Sequence, residues 1–257
     1  MEQTVFLPFG QFDIPCCVTY CEDLPVKQVV LGVHGFGGSK NDAIQQAIAE
    51  EMAMFCDATV RFDFPAHGEN PEDRLTLEGC RQTLMTVARY AKERFPQVED
   101  LCIFATGFGA YVTLSVLEEL LELPGQIRLV VQTPSVRMHN TLLSMIRMSE
   151  QTFRVMEKVV LPAPNRGFTV TYDFYKELKD NMVLTTHPIP MLILHGEEDD
   201  YIPMEDIRNF RRINEGSKLV YITGASHQFL EEGAWDMVLD LTRDWFSFQQ
   251  VLLCDWE

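Results

Sequence analysis

At Leu101-Cys-Ile-Phe-Ala-Thr-Gly-Phe-Gly-Ala110, the sequence passes from an apolar run of strand type into a turn with two glycines and then into a helix. This is the layout of a nucleophile elbow, Gly-x-Ser-x-Gly, in which a serine at the apex lies above a parallel sheet. Here the apex residue is Gly107, with Ala105 and Gly109 at the two small positions around it. The stretch predicts an elbow without its attacking atom. From this window alone, an ordinary strand-to-helix turn is the alternative.

Glycine suits the apex of such a turn sterically. The apex backbone is held at unfavourable dihedral angles, which costs a serine about 1–3 kcal/mol. Glycine avoids most of that strain because it has no Cβ. We therefore expect Gly107 to relax the turn and leave its geometry in place.

Strand-like and helix-like segments alternate along most of the chain. Apolar runs predict strands at residues 29–33, 58–62, 101–104, 128–132, 190–194 and 218–222. Helical spacing of apolar residues predicts helices over 41–55, 76–95 and 233–246, and one that follows the elbow and runs to about residue 121. Such alternation predicts one α/β domain over residues 1–257, with a mostly parallel sheet covered on both faces by helices. Ligands of such a sheet bind at the carboxyl ends of the strands. Two β-like runs at 4–7 and 12–20 predict an edge hairpin.

The alternation is interrupted between residues 134 and 188. No run of buried-strand type occurs there before Met191, and the segment holds five of the twelve methionines. We expect a helical lid inserted over the sheet edge. Methionine adapts to apolar ligands of varied shape, so Met138 and Met145 are candidates for the wall of an acyl or aromatic pocket. Packing of the lid helices against one another would use the same side chains.

Composition and net charge argue against several classes of binding partner and of structural site. The chain is 46% hydrophobic, and its net charge of −17 argues against binding to nucleic acid or to an anionic membrane surface. The seven cysteines are odd in number and several fall in apolar segments. We expect reduced thiols in a cytoplasmic protein, with no disulfide framework and no zinc site. A basic leader and an apolar stretch of about 18 residues are both missing from the sequence, so we expect no export and no membrane anchor.

Five loops that directly follow predicted strands carry the remaining motifs. They are His34-Gly-Phe-Gly-Gly38, Asp63-Phe-Pro-Ala-His-Gly68, Ala105-Thr-Gly-Phe-Gly-Ala110, His195-Gly-Glu-Glu-Asp199 and Gly224-Ala-Ser-His227. In this order the motifs resemble those of the α/β-hydrolase superfamily. The similarity is strongest to its small-lid serine hydrolases, such as monoacylglycerol lipases, serine-aminopeptidase-like proteins and cinnamoyl esterases. The resemblance extends over nearly the whole chain.

The resemblance implies a catalytic triad with one member replaced. Asp199 matches the triad acid, with Asp200 as the neighbour that could be mistaken for it, and His227 matches the general base. In the family, histidine takes the proton of the nucleophile while the carboxylate fixes its tautomer and stabilises the imidazolium. The alternatives are a solvated acidic loop for Asp199 and a capping histidine in a surface turn for His227.

The resemblance also implies an oxyanion hole formed by backbone amides, which a change of side chain does not delete. These are the N–H groups of Phe36 and Phe108. His34 and Gly35 are expected beside the substrate pocket, with His34 orienting the loop. The histidines show no metal-ligand spacing, and we expect neither a metal nor another cofactor.

The function implied is hydrolysis of a small-molecule carboxylic ester, or an amide, through an acyl-enzyme. Loss of the triad serine typically costs about 10⁶-fold in rate, so with Gly107 the chain should be nearly inert towards esters. Either an active-site serine was changed on purpose, or the gene encodes a non-catalytic relative. We favour the first because Asp199, His227 and the oxyanion motif are all retained.

Two other classes of function stay open at this point. The pocket could bind a small apolar ligand or a partner without chemistry. Alternatively, the His227–Asp199 pair could act alone as the base of a cofactor-free lyase. The identity of the substrate and the oligomeric state do not follow from the sequence.

Overall fold

The computed structural model describes residues 1–55, 57–162 and 167–247. The strands in this part of the chain are β1 (Glu2–Phe9), β2 (Phe12–Thr19), β3 (Val29–Val33), β4 (Ala58–Phe62), β5 (Leu101–Thr106), β6 (Ile127–Gln132), β7 (Lys158–Leu161), β8 (Phe168–Thr171), β9 (Met191–Gly196) and β10 (Lys218–Ile222). The helices are α1 (Ala43–Met54), α2 (Leu77–Arg94), α3 (Gly107–Ser115), α4 (Leu117–Leu120), α5 (Met138–Ile146), α6 (Glu150–Met156), α7 (Tyr172–Asp180), α8 (Met204–Ile213) and α9 (Ala234–Phe246).

Eight of these strands form one mostly parallel sheet. Its strand order is β1-β2-β4-β3-β5-β6-β9-β10. The predicted edge hairpin is present, since β1 pairs with β2 and β2 pairs with β4, both antiparallel. All the other pairs are parallel. Every residue of β3, β4 and β6 is buried, as expected for apolar strands with helices on both faces.

Helices cover both faces of the sheet, and the pleat of β5 shows how the two layers are separated. Cys102 and Phe104 point into a cluster with residues of α1 and α9, whereas Ile103 and Ala105 point into a larger cluster with residues of α2 and α3. Successive side chains of a strand face opposite sides. The single continuous apolar run of β5 therefore stabilises both layers.

The insertion between β6 and β9 is only partly helical. It contains α5, α6 and α7, but β7 and β8 form an antiparallel hairpin between α6 and α7. Exposed and more buried residues alternate along both strands, which is the pattern of a strand with one face in solvent. Such strands contain no continuous apolar run, which is the feature that predicts a strand buried on both faces.

The structure also describes the cap of α1 and the surroundings of most of the cysteines. The N-cap residue of α1 is Asp42. Cys16, Cys17, Cys80 and Cys102 are buried thiols, whereas Cys56 and Cys254 lie outside the described residues. Within the described ranges, no helix combines the length and apolarity needed to cross a bilayer.

Gly109 is a site where a single methyl group should disturb the sheet. A Cβ at this position would lie 2.4 Å from the carbonyl oxygen of His34 and 2.7 Å from that of Val33. We expect Gly109→Ala to lower the free energy of unfolding by about 1–3 kcal/mol, because the backbone of the β3 loop must move. Urea unfolding measures this change.

Gly216→Ala is the matched control, since a Cβ there would meet only the Cβ of Pro190, at 3.8 Å. This variant should keep the parent stability to within about 1 kcal/mol. Equal stabilities of the two alanine variants would contradict the close approach of α3 to the β3 loop.

Candidate active site

The elbow is formed where β5 passes directly into α3. Gly107 is the first residue of the helix and has φ +47°, the left-handed region that favours glycine. A Cβ at this position would have no heavy atom within 4 Å. The backbone therefore holds residue 107 in a conformation that strains other residues, with open space for a short side chain.

The predicted acid and base are in contact. His227 Nδ1 lies 2.8 Å from Asp199 Oδ2, and the other carboxylate oxygen accepts hydrogen bonds of 2.9 Å from the backbone N–H groups of Tyr201 and Ile202. The Asp199 side chain is fully buried, while that of His227 is 26% exposed. Since a charged carboxylate can only accept hydrogen bonds, Nδ1 carries the proton and Nε2 is the nitrogen available as a base.

The environment of Asp199 keeps its carboxylate charged. Burial alone would raise its pKa, but the hydrogen bond from His227 and those from the two backbone N–H groups outweigh burial, so the pKa lies below its ordinary value. The neighbouring Asp200 is exposed. His195 is buried, with Nδ1 3.8 Å from Asp199 Oδ2, and burial lowers the pKa of its imidazole. His227 is therefore the histidine that the carboxylate holds in place.

A cavity of about 440 Å³ lies above the elbow. Seven residues predicted for the site line it, namely Gly35, Phe36, Gly107, Phe108, Met138, Met145 and His227. The sheet explains why they converge, because β3, β5, β6, β9 and β10 are neighbours and all end at this edge. Asp199 lies behind His227 and does not line the cavity.

The structure places His34 beneath the loop that follows β3, and not beside the substrate pocket as expected. The ring is completely buried and is not among the residues that line the cavity. Its Nε2 accepts a hydrogen bond of 3.1 Å from the backbone N–H of Phe64, and Nδ1 lies 2.8 Å from the carbonyl oxygen of Gly35. Both ring nitrogens thus bind backbone groups, which joins the loops that follow β3 and β4.

The two expected oxyanion donors border the cavity. Among the described residues, no acceptor is hydrogen-bonded to the backbone N–H of Phe36 or Phe108. Phe108 lies in the first turn of α3, where helical N–H groups have no partner within the helix. The two phenyl rings meet edge to face at a centroid distance of 5.4 Å. These amides are free to bind a carbonyl oxygen.

A buried ion pair anchors the end of the loop that follows β3, residues 34–40. The carboxylate of Asp63 accepts hydrogen bonds from the Lys40 backbone N–H (2.7 Å), from Lys40 Nζ (2.9 Å) and from the backbone N–H of Glu69 (2.9 Å). Lys40 and Asp63 are both buried. Asp63 belongs to one of the five sequence motifs. Its pairing with Lys40 does not follow from the sequence and is shown only by the structure.

Several residues of the cavity wall are not predicted by the sequence. The residues not predicted include Asp42, Gln132, Thr133, Ser135, Tyr201 and Trp235. Thr133 has φ +44°, a strained conformation for a β-branched residue. Its position directly after β6, at the same sheet edge as the motif loops, is the signal that could have identified it.

In the described residues, the serine and threonine hydroxyl groups near Gly107 have partners other than His227. The hydroxyl of Ser135 donates to Thr141 Oγ1 at 2.8 Å, that of Ser39 donates to Asp42 at 3.3 Å, and Thr106 Oγ1 lies 3.5 Å from the carbonyl oxygen of Val33. In the described part of the chain, no serine or threonine hydroxyl is hydrogen-bonded to His227. The Asp199–His227 contact, the unpaired N–H groups of Phe36 and Phe108, and Gly107 thus meet at one cavity.

The sequence model of a family described as alpha/beta hydrolase of unknown function (DUF900) matches residues 19–186, more than half of the chain. The chain belongs to this family. The α/β-hydrolase fold expected from the five motifs is therefore confirmed. No curated protein matches the sequence of this hydrolase-family member.

Solved structures share the fold at low sequence identity. Alpha/beta hydrolase domain-containing protein 10 from mouse is 15% identical, with a TM-score of 0.76 over 95% of this chain and 98% of that chain. Est1E from Butyrivibrio proteoclasticus, solved with ferulic acid bound, is 18% identical, with a TM-score of 0.74 over 94% and 97%. An alpha-beta serine hydrolase homologue from Coxiella burnetii is 18% identical, with a TM-score of 0.65 over 93% and 95%.

Substitutions at Gly107 should reveal the strain of the apex. Gly107→Ala and Gly107→Ser should each lower the free energy of unfolding by about 1–2 kcal/mol, because φ is positive while the space around the Cβ is open. Gly107→Asn serves as the control and should cost less, since asparagine tolerates this conformation better. Thermal or urea unfolding gives the comparison. Identical stabilities of the alanine variant and the parent would contradict a left-handed apex.

The Asp199 carboxylate should contribute a pH-dependent part of the stability. Because its folded-state pKa is lowered, the contribution is fully present above the unfolded pKa of about 4 and is lost as the pH falls through the folded pKa. We expect Asp199→Asn to cost about 1–2 kcal/mol near neutral pH and less in acid. Urea unfolding at neutral and acidic pH tests this, with the exposed Asp200→Asn as control. A cost that stays constant with pH would contradict the assignment.

Proposed function

We propose that the cavity of this hydrolase-family member binds the ester or acyl group of a small molecule, and that serine at position 107 would complete an acyl-transfer site. The observation that carries the proposal is the contact between Asp199 and His227 at the same cavity as the open apex of the elbow. Free N–H groups at Phe36 and Phe108 support it. These are the groups that acyl transfer requires apart from the nucleophile.

With serine at 107, each group has a defined step. The serine hydroxyl attacks the carbonyl carbon and passes its proton to Nε2 of His227, while the N–H groups of Phe36 and Phe108 bind the developing oxyanion. His227 then protonates the departing alcohol. Water, deprotonated by the same imidazole, attacks the acyl-enzyme. The bond between the acyl carbon and the serine oxygen then breaks, His227 returns the proton to that oxygen, and the acid leaves. Asp199 stabilises the imidazolium in both halves of the reaction.

With glycine at 107, no side chain can form an acyl-enzyme. The groups that bind the substrate and its oxyanion are retained, and in serine hydrolases such groups alone give about 10³–10⁴-fold over the reaction in water. We infer that the chain as it stands binds the ligand. Any hydrolysis it performs is slow and uses water activated by His227.

The walls of the cavity indicate the kind of ligand. Its volume of about 440 Å³ is in the range of small-molecule sites. Met138, Met145 and the rings of Phe36 and Phe108 supply apolar and adaptable contacts. Est1E, which shares the fold, is solved with ferulic acid bound. A short or aromatic acyl group suits walls of this composition.

Restoring the nucleophile tests the proposal. Gly107→Ser should hydrolyse p-nitrophenyl butyrate at least about 10³-fold faster than the parent chain, measured by release of nitrophenolate, because only this variant can form an acyl-enzyme.

Two variants serve as controls. Gly107→Ala adds the same backbone strain without a hydroxyl, and Gly107→Ser combined with His227→Ala lacks the base, so both should stay near the parent rate. A folded Gly107→Ser protein without any gain, on short and long acyl chains alike, would contradict the hydrolase proposal. It would leave ligand binding without chemistry as the function of the cavity.

A further inference from the structure

Asp42 adds a carboxylate to the wall of the cavity, next to the oxyanion loop. The residue is half-buried and lines the cavity. Its Oδ1 accepts hydrogen bonds from the backbone N–H of Ser39 (2.9 Å) and from the Ser39 hydroxyl (3.3 Å). Across residues 1–55, 57–162 and 167–247, Oδ2 has no hydrogen-bond or ion-pair partner. One oxygen thus fixes the side chain, and the other is left for a ligand.

The glycine at position 38 makes room for this carboxylate. A Cβ on Gly38 would lie 2.1 Å from Asp42 Oδ2 and 3.1 Å from Asp42 Cγ, so any side chain there would displace the acid. Gly38 itself lines the cavity and closes the oxyanion turn, since its N–H donates to the carbonyl oxygen of Gly35 at 3.1 Å. The carboxylate therefore lies directly against the loop that carries the Phe36 amide.

Asp42 has no lysine or arginine partner in the described part of the cavity wall. Among the described residues that line the cavity, none is a lysine or an arginine. Lys40, two residues earlier in the chain, is turned into the interior, where it pairs with Asp63 and Glu69. Burial raises the pKa of the Asp42 carboxyl, with His34 opposing that shift. A positively charged ligand group would relieve this cost of burial, whereas an anionic group would be repelled.

Aromatic side chains in the same wall are suited to a cation. Phe36, Tyr201 and Trp235 line the cavity together with Asp42. The face of an aromatic ring attracts a cation, and tryptophan does so most strongly. Proteins use such rings to recognise quaternary ammonium ligands. The net charge of −17 also favours the approach of cations to the chain. The Asp42 carboxylate, the aromatic rings and the negative net charge of the protein thus all favour a positively charged ligand.

We propose that the cavity selects esters that carry a positively charged group, with Asp42 as the counter-ion. The ester part of this statement rests on the proposed function. The preference for a positively charged group rests on the residues of the cavity wall alone. It applies to the chain with Gly107 as it is.

Calorimetric titration of the parent chain tests the cationic part without any need for turnover. The probes are butyrylcholine and 3,3-dimethylbutyl butyrate, which have the same shape but differ by one positive charge. We expect butyrylcholine to bind at least about ten-fold more tightly, a preference that one favourable charge contact can supply. Asp42→Asn should bring the two dissociation constants to within about three-fold.

Asp23→Asn is the matched control. It removes one negative charge at an exposed position that does not line the cavity, so it changes the net charge equally. Its preference for butyrylcholine should equal that of the parent. Equal binding of the two esters by the parent, or equal loss of preference in both variants, would overturn the role of Asp42.

Turnover by Gly107→Ser separates this inference from the proposed function. If the serine variant hydrolyses both esters equally well, the hydrolase proposal stands and the cation preference is wrong. If it hydrolyses neither ester while the parent still binds butyrylcholine in an Asp42-dependent manner, the cation site stands and the hydrolase proposal is wrong. A preference in kcat/KM that disappears in Asp42→Asn supports both.

Discussion

The hydrogen bond between Asp199 and His227 depends on a close approach of two loops, and the rest of the site is arranged around it. The loops follow β9 and β10, which are parallel neighbours. Gly196 allows the approach, because a Cβ there would lie 2.3 Å from the carbonyl oxygen of Ala225 and 2.7 Å from that of Ser226. The backbone N–H of Glu198 donates to that same Ala225 oxygen at 3.0 Å. Backbone contact, and not the side chains alone, thus sets the distance between acid and base.

A second close approach, between the elbow and the loop that follows β3, positions the N–H groups of Phe36 and Phe108. Gly109 in α3 lies against the carbonyl groups of Val33 and His34, and the Lys40–Asp63 pair fixes the other end of the loop. Breaking a buried pair by removing one partner typically costs about 3–5 kcal/mol. The donors are therefore held by parts of the chain that do not change when the residue at 107 changes. These contacts therefore fix the surroundings of Gly107 whichever residue stands at that position.

The strands and the acid–base pair could be predicted from the sequence because their signals are local. Residues 29–33 form a continuous apolar run, 58–62 and 218–222 are short and rich in apolar residues, and the predicted bounds of all three strands agree with the structure. Asp199 and His227 follow strands in the order of a known superfamily. The β7–β8 hairpin was missed because one of its faces is exposed. The burial of His34 and the entry of Asp42 into the cavity depend on which way loop side chains turn, which spacing along the chain does not encode.

Proton NMR of the imidazole N–H groups tests the central claim most directly, because it observes the bond between Asp199 and His227 in solution. We expect a strongly downfield-shifted proton on His227 Nδ1, since that nitrogen donates to a buried carboxylate. The signal should persist in Gly107→Ser and disappear in Asp199→Asn. A proton found on Nε2 instead, or a downfield signal unchanged by Asp199→Asn, would contradict the arrangement of acid and base on which the site depends.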